Sequence, residues 1–221
     1  MTMIQIFFVE MNHSLHPSRY DSLYSMLPPE TKKNIDLFRF EADRRIRIAS
    51  EILLRCQICR STGLHAADLQ FGRQEFGKPY LISEPAFHFN VSHSRNGLVL
   101  GISDEAIGVD TEQIRKEDRR VARRIFTDRE YDWVYASPEQ EDVRFFEIWT
   151  KKEAYMKWTG SGFAMITKSF DVLDPLTNGH IVSIQINQYW ISAYASHMPG
   201  NIDITRISEE ELYDMAIYFM Q

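Results

Sequence analysis

Residues able to do chemistry gather in three short stretches. Asp110 and Glu112 stand two apart in Ile107-Gly108-Val109-Asp110-Thr111-Glu112, a β-favouring run with a glycine just ahead of the acids. Period-two geometry aims both carboxylates from one side of a strand. Two hard oxygen donors, with room left for water and phosphate, suit Mg²⁺ better than a closed protein cage. Such a pair is often only a solvated strand end. The sharper reading needs phosphate ligands and a third acid from elsewhere in the chain.

Phe145 to Trp158 offers that acid. Phe146, Trp149, Glu153, Met156 and Lys157 fall in one helical sector by i, i+3, i+4 spacing. Blandly, Glu153 and Lys157 are a surface ion pair worth ~0.3–0.5 kcal/mol. The apolar neighbours instead pack this face inward, where an unpaired charge is costly and a metal or phosphate is a suitable partner. The third stretch, Phe89-Asn90-Val91-Ser92-His93-Ser94, puts a hydroxyl and an imidazole at a strand end. They can hold a diphosphate by hydrogen bonds and charge, or form a satisfied loop pair. The G-x-S-x-G elbow of a serine hydrolase is missing.

The elements that must position these residues follow from patterning. Residues 3–9 read as a strand, and Pro28-Pro29-Glu30 starts a polar helix holding Lys32 and Lys33. A long helix over 41–60 carries an apolar stripe of Ile46, Ala49, Leu53 and Cys56 flanked by Ile48, Ile52 and Cys59. Arg44, Arg45 and Arg47 near its start are a solvated face or a phosphate-binding rim. Gly77-Lys78-Pro79 marks a loop that exposes a lysine on stiff backbone. Phe87–Ser94 and Leu98–Ile102 read as strands, and Arg115–Arg124 as a helix-like segment with a local charge of +4. The C-terminal third predicts strands around 169–173, 181–186, 189–195 and 202–207, then a helix with Ser208 and Glu211 at capping-box spacing.

The 221 residues, 44% hydrophobic, allow one large domain or two small ones. A net charge of −6 argues against nucleic-acid binding through the global field. The apolar N-terminus lacks a basic leader and meets Glu10 early, and no run approaches the ~18 apolar residues of a membrane span. A cytoplasmic protein with no membrane or nucleic-acid partner is expected. Cys56 and Cys59 spell C-x-x-C late in a helix with no partner pair, so buried thiols are expected.

Three blocks then coincide in order and spacing. Phe89–Ser94, Ile107–Glu112 and Trp149-Thr150-Lys151-Lys152-Glu153-Ala154-Tyr155-Met156-Lys157 together resemble the motifs of the Sfp-type phosphopantetheinyl transferases. Gln74–Pro79 resembles the preceding Gly-Lys-Pro element of that family, and Gly160-Ser161-Gly162 its trailing glycine turn. The likeness runs from about residue 27 to 197. It implies an α+β monomer of two similar halves related by a pseudo-twofold, each a small antiparallel sheet packed on a long helix. The halves are expected at residues 1–105 and 106–221, with coenzyme A and Mg²⁺ in the cleft between them. The phosphopantetheine arm of coenzyme A would pass to a serine of an acyl or peptidyl carrier protein, releasing adenosine 3′,5′-bisphosphate.

By the same resemblance, Asp110, Glu112 and Glu153 hold Mg²⁺ against the pyrophosphate, and Lys157 and His93 bind phosphate oxygens. Ser92 helps position the nucleotide, and Lys78 lies near its phosphate end. Apart from the resemblance, Glu153 is also the candidate general base for the carrier serine, directly or through water. Many relatives carry Asp-x-x-Arg in the first long helix, but the residue three after Asp43 is Ile46; Arg47 ranks first as a substitute, before Arg45 and Arg44. Lys32 and Lys33 are also out of register with the lysines of some relatives, and Thr111 replaces an aliphatic between the acids. The basic run Arg115–Arg124 is expected to form part of the docking surface for an acidic carrier. Two other readings are a coenzyme A-binding regulatory module and a metal-dependent phosphohydrolase; the first predicts a lost acid, the second a dedicated second metal cluster, and the sequence shows neither.

Overall fold

A computed structural model describes residues 4–12, 14–160, 167–198, 202 and 204–220. Strand β1 (Ile4–Glu10) is followed by helices α1 (Pro17–Met26), α2 (Pro29–Asp36) and α3 (Glu41–Thr62). A short hairpin, β2 (Phe71–Arg73) and β3 (Pro79–Leu81), precedes β4 (His88–Ser94), β5 (Gly97–Ser103) and β6 (Ile107–Gln113). Then come α4 (Arg119–Ile125), α5 (Asp128–Tyr135), α6 (Glu141–Thr159) and the single turn α7 (Pro175–Asn178). Strands β7 (Ile181–Ile186), β8 (Tyr189–Ala195) and β9 (Ile204–Ile207) and helix α8 (Glu209–Phe219) complete the order.

One sheet runs β4-β5-β1-β9 and another β6-β8-β7. The result is an α+β fold of two units, each a small sheet set against a long helix, α3 in the first and α6 in the second, with β9 and α8 from the C-terminal end of the chain joining the first. All pairings are antiparallel except β9, which joins β1 in parallel.

Strand alternation builds the layers. On β1, Phe7 and Val9 enter the core beneath α3, while Ile6 and Phe8 enter a second core with Ile107, Val109 and Ile191 of the other sheet. The two sheets therefore pack face to face, with helices outside both. The stripe foreseen on α3 is buried throughout, and both cysteines are buried and free. Gly63, with φ of 75°, ends that helix in the left-handed conformation a side chain resists.

Several local expectations are corrected. Helix α1 went unread because its polar stretch has little periodicity; Pro17 at its first position and the His16 side chain, which accepts from Ser18 N, start it. Residues 169–173 form no strand: a 3₁₀ turn covers Thr167–Ser169, and Asp171 then accepts from Leu173 N. The basic run has no regular structure over 114–118 and is helical only from Arg119, where Asp118 caps α4. The loop at Gly77-Lys78 is the turn of a hairpin, flanked by the antiparallel strands β2 and β3. Ser208 and Glu211 do form the capping box of α8. Ser161 and Gly162 of the glycine turn lie outside the described residues.

Candidate active site

β4 and β6 are edge strands of different sheets, and they meet through side chains. Along β4, the even-numbered residues face β6 with the spacing of its acids. The Asn90 side-chain oxygen accepts from Val109 N at 2.9 Å, Ser92 Oγ donates to Asp110 at 2.7 Å, and Ser94 Oγ donates to Glu112 at 2.6 Å. Asn90 and Ser94 were not singled out from sequence. Their signal was the shared period of two in Asn-x-Ser-x-Ser and Asp-x-Glu.

On β6, Ile107, Val109 and Thr111 are buried, the first two in the core between the sheets; Gly108, Asp110 and Glu112 occupy the opposite face. A Cβ on Gly108 would overlap Ala154 O and Trp158 N and lie 2.9 Å from Trp158 Cα. The missing side chain lets α6 approach backbone to backbone, which brings Glu153 and Lys157 toward Asp110. Lys157 Nζ lies 2.6 Å from Asp110 Oδ1 and 2.7 Å from Ser92 Oγ. The simple Glu153–Lys157 surface pair is thus replaced by a bridge from helix to strand. Asp110 is 4% exposed, and its other oxygen, Oδ2, is buried without a hydrogen-bond partner.

The electrostatics follow from this crowding. Burial first, then the charge of Asp110, pushes the Glu153 carboxyl up to about 7, with Lys157 opposing and Glu112 adding. Asp110 is also raised by burial, against the pull of Lys157 and Ser92. Enclosure, then Arg47 and Lys157, hold the His93 imidazole below its ordinary value. Because that ring keeps an exposed edge, the two neighbouring charges are the firmer cause.

A cavity of about 840 Å³ lies between α2, α3, the β2–β3 hairpin and β4, and takes in Arg47, Ser92, His93 and Lys157. A smaller one of about 280 Å³ opens onto Lys78, Met156 and Glu153; Asn90, Pro79 and Lys157 border both. Asp110 sits behind the Lys157 ammonium, and Glu112 is held by Ser94 and by Arg115 at 2.9 Å. Arg44 pairs with Asp36 and Arg45 with Glu41, whereas Arg47 forms no ion pair among the described residues. Ile46 is buried; Lys32 donates to Ser25 O, and neither it nor Lys33 borders the larger cavity, where Glu30, Thr31 and Asn34 represent α2.

Lys78 departs from the exposed position expected of it. It is half-buried, with Nζ donating to Ile107 O at 3.0 Å and Lys157 O at 2.6 Å. The Arg115–Arg124 run is less basic than its composition. Arg115, Lys116, Arg119 and Arg120 each pair with acids, among them Glu112, Asp142, Glu141 and Asp118, while Arg123 packs over Tyr131.

Asp110, Glu112 and Glu153 offer carboxylate oxygens only, the donor set Mg²⁺ prefers. The orphaned Asp110 Oδ2 and the desolvated Glu153 carboxyl fit a divalent cation. Among the described residues, however, no three such side chains already converge around an ion, because Lys157 covers Asp110 and Ser94 and Arg115 hold Glu112.

Comparison with known proteins covers both halves. Residues 106–206 match the 4′-phosphopantetheinyl transferase superfamily, and residues 14–104 match the model for a 4′-phosphopantetheinyl transferase N-terminal region. The chain is 30% identical over 170 residues to a 4′-phosphopantetheinyl transferase of Bacillus subtilis, covering 76% of each protein. It is 27% identical over 223 residues to 4′-phosphopantetheinyl transferase Sfp of Bacillus subtilis strain 168, covering 95% of this chain and 100% of that one. Against 4′-phosphopantetheinyl transferase HetI of Nostoc sp. the identity is 32% over 165 residues, covering 72% of this chain and 70% of that one. The strand of acids, the helix that faces it and the half that closes the cavity thus all fall under one kinship, and the chain belongs to the Sfp-type 4′-phosphopantetheinyl transferases.

Proposed function

We propose that this enzyme transfers the phosphopantetheine arm of coenzyme A to a serine of an apo acyl or peptidyl carrier protein, with Mg²⁺, releasing adenosine 3′,5′-bisphosphate. The observation that supports it most is the corner where Lys157 spans Asp110 and Ser92 beside the desolvated Glu153, with Ser92 and Lys157 lining the 840 Å³ cavity and Glu153 the smaller one that adjoins it. The serine oxygen forms a bond to the pantetheine-side phosphorus as the bond from that phosphorus to the bridging oxygen of the pyrophosphate breaks. The bisphosphate leaves with the electron pair.

Asp110, Glu112 and Glu153 would hold the metal, which when bound neutralises charge on the pyrophosphate. Lys157 would leave Asp110 for a phosphate oxygen, with His93 and Arg47 contributing along the cavity wall. Ser92, hydrogen-bonded to both Asp110 and Lys157, would fix their spacing on the nucleotide side. Glu153 would take the serine proton, directly or through water; beside a bound cation its carboxylate loses proton affinity, so its advantage is placement more than basicity. Lys157 of the second half reaches a cavity otherwise lined by the first, and a monomer is part of the same proposal. Among the described residues no helix is long and apolar enough to cross a membrane, and a cytoplasmic site of action is part of the same proposal.

Intact-mass spectrometry of several apo carriers, incubated with the enzyme, coenzyme A and Mg²⁺, tests this. One phosphopantetheine should be gained per carrier and lost with a chelator. Cleavage of coenzyme A without a carrier would defeat the proposal, as would binding of coenzyme A with no gain on any carrier.

A further inference from the structure

We infer that Lys78 is a positioning residue that clamps the catalytic corner from the other half of the chain, and that it is not a ligand of the nucleotide phosphates. Its ammonium has three donor hydrogens. They meet the carbonyls of Ile107 at 3.0 Å and Lys157 at 2.6 Å, with Trp158 O at the edge of reach at 3.4 Å. Ile107 begins the strand of acids, and Lys157 and Trp158 lie in the last turn of the helix that faces it. No carboxylate pairs with this lysine among the described residues. The last carbonyls of a helix lack intrahelical donors, so a lysine nitrogen is well placed to donate to them.

The neighbouring contacts are built for the same joint. The turn that carries Lys78 is closed by Gln74 N donating to Lys78 O at 2.9 Å and Gly77 N to Gln74 O at 2.9 Å. Arg73 Nη1 donates to Gly77 O at 3.0 Å across the same turn. At the α6 terminus, a Cβ on Gly160 would lie 2.9 Å from Gln74 Oε1 and 3.7 Å from Lys78 Cδ, so the turn rests directly on the helix end. Gly108, one residue after the bonded Ile107, is where the backbone of α6 meets β6. The ammonium therefore joins the two elements at their point of closest approach and fixes Glu153 and Lys157 relative to Asp110. With its donors spent on carbonyls, it has none for a phosphate.

This inference rests on reading the corner as the transfer site, and the experiment separates the two. Wild type, Lys78→Met and Lys78→Arg are compared in steady-state transfer to an apo carrier, with coenzyme A and with 3′-dephospho-coenzyme A. Hydrogen exchange is followed at the amides of 107–109 and 156–160. In Lys78→Met, kcat should fall about tenfold or more while KM for coenzyme A stays within about threefold. The preference for coenzyme A over its dephospho form should be unchanged, and exchange at both segments should quicken. Lys78→Arg, which keeps charge and donors, should recover most of kcat, and it decides the split if Lys78→Met fails to fold. A KM raised about tenfold with kcat kept, or a collapse of the dephospho preference, makes Lys78 a phosphate ligand and overturns the clamp. Unchanged kcat and unchanged exchange overturn it as well. Wild type that is inactive on every carrier, with exchange still altered in Lys78→Met, defeats the transfer reading and leaves the clamp standing.

Discussion

Replacing Gly108 by alanine adds one methyl group at the joint between strand and helix. The added Cβ would overlap Ala154 O and Trp158 N and stand 2.9 Å from Trp158 Cα. Carbon atoms rest at about 3.5–4.0 Å, so even the mildest of these three contacts is short by more than half an ångström. All three partners are backbone of a long helix, so no side chain can rotate away. The strand and helix must separate by about 1 Å, and a displacement of that size near reacting groups costs about 10²-fold in rate. Overpacking of this kind also costs about 1–3 kcal/mol of stability. Chemical denaturation followed by tryptophan fluorescence, with Trp149, Trp158 and Trp190 as reporters, should show that loss with an unchanged m-value. Carrier turnover measured on the folded fraction should fall about a hundredfold. A Gly108→Ala enzyme within about 0.5 kcal/mol and twofold of wild type would refute the idea that this glycine sets the helix-to-strand distance.

Glu153→Gln should lower kcat about 10²-fold or more while coenzyme A still binds; normal turnover with metal binding retained would remove Glu153 as base. The ion pair of Lys152 and Glu130 is 1% and 0% exposed, and Glu130 also accepts from Val172 N and Thr127 N. Glu130→Gln should cost about 3–5 kcal/mol in urea unfolding, and adding Lys152→Met should restore part of it; a purely additive double variant would contradict an uncompensated buried charge. Burial lowers the Lys78 ammonium from 10.5 to about 8, so between those values the unfolded chain holds a proton that the folded chain has released. The unfolding free energy of wild type relative to Lys78→Met should therefore rise as pH climbs through that window, and a flat difference would refute the burial. Charge reversal at Arg124, which has no ion pair among the described residues, should weaken carrier turnover and spare coenzyme A affinity, while equal losses would argue against docking there.

What the sequence made legible were features set by local period. The alternation of β6 put Asp110 and Glu112 on one face, and the apolar spacing of α3 foretold a stripe that is buried throughout. Features set by long-range contact were not legible. Lys78 in a Gly-Lys-Pro turn looks solvated until the turn is seen resting on a helix end whose carbonyls come from 79 and 80 residues away. The local charge of +4 at 115–124 is partly offset by partners at Glu112, Glu141 and Asp142, two of them on another helix, which the run itself does not reveal. Ser169 to Leu173 has strand-like composition, yet Asp171 turns back on Leu173 N, a local side-chain bond that competes with the ladder.

The same distinction explains why the site sits where it does. A sheet edge carries unpaired backbone groups that a protein must cover or employ. Here β4 and β6, each the edge of its own sheet, face one another without forming a ladder, and Asn90 satisfies Val109 N from its side chain. That single substitution of a side-chain amide for a backbone carbonyl keeps the strands far enough apart for Ser92, Ser94, Asp110 and Glu112 to interleave. Closing the gap by direct backbone pairing would seal both edges and bury the carboxylates beyond reach of any ligand. Leaving it open without Ser92 would leave Asp110, at 4% exposure, with Lys157 as its remaining hydrogen-bond partner among the described residues. Asn90→Leu should accordingly do more than cost one hydrogen bond: with Val109 N unsatisfied, β6 is free to shift, and the spacing of both acids from Glu153 goes with it.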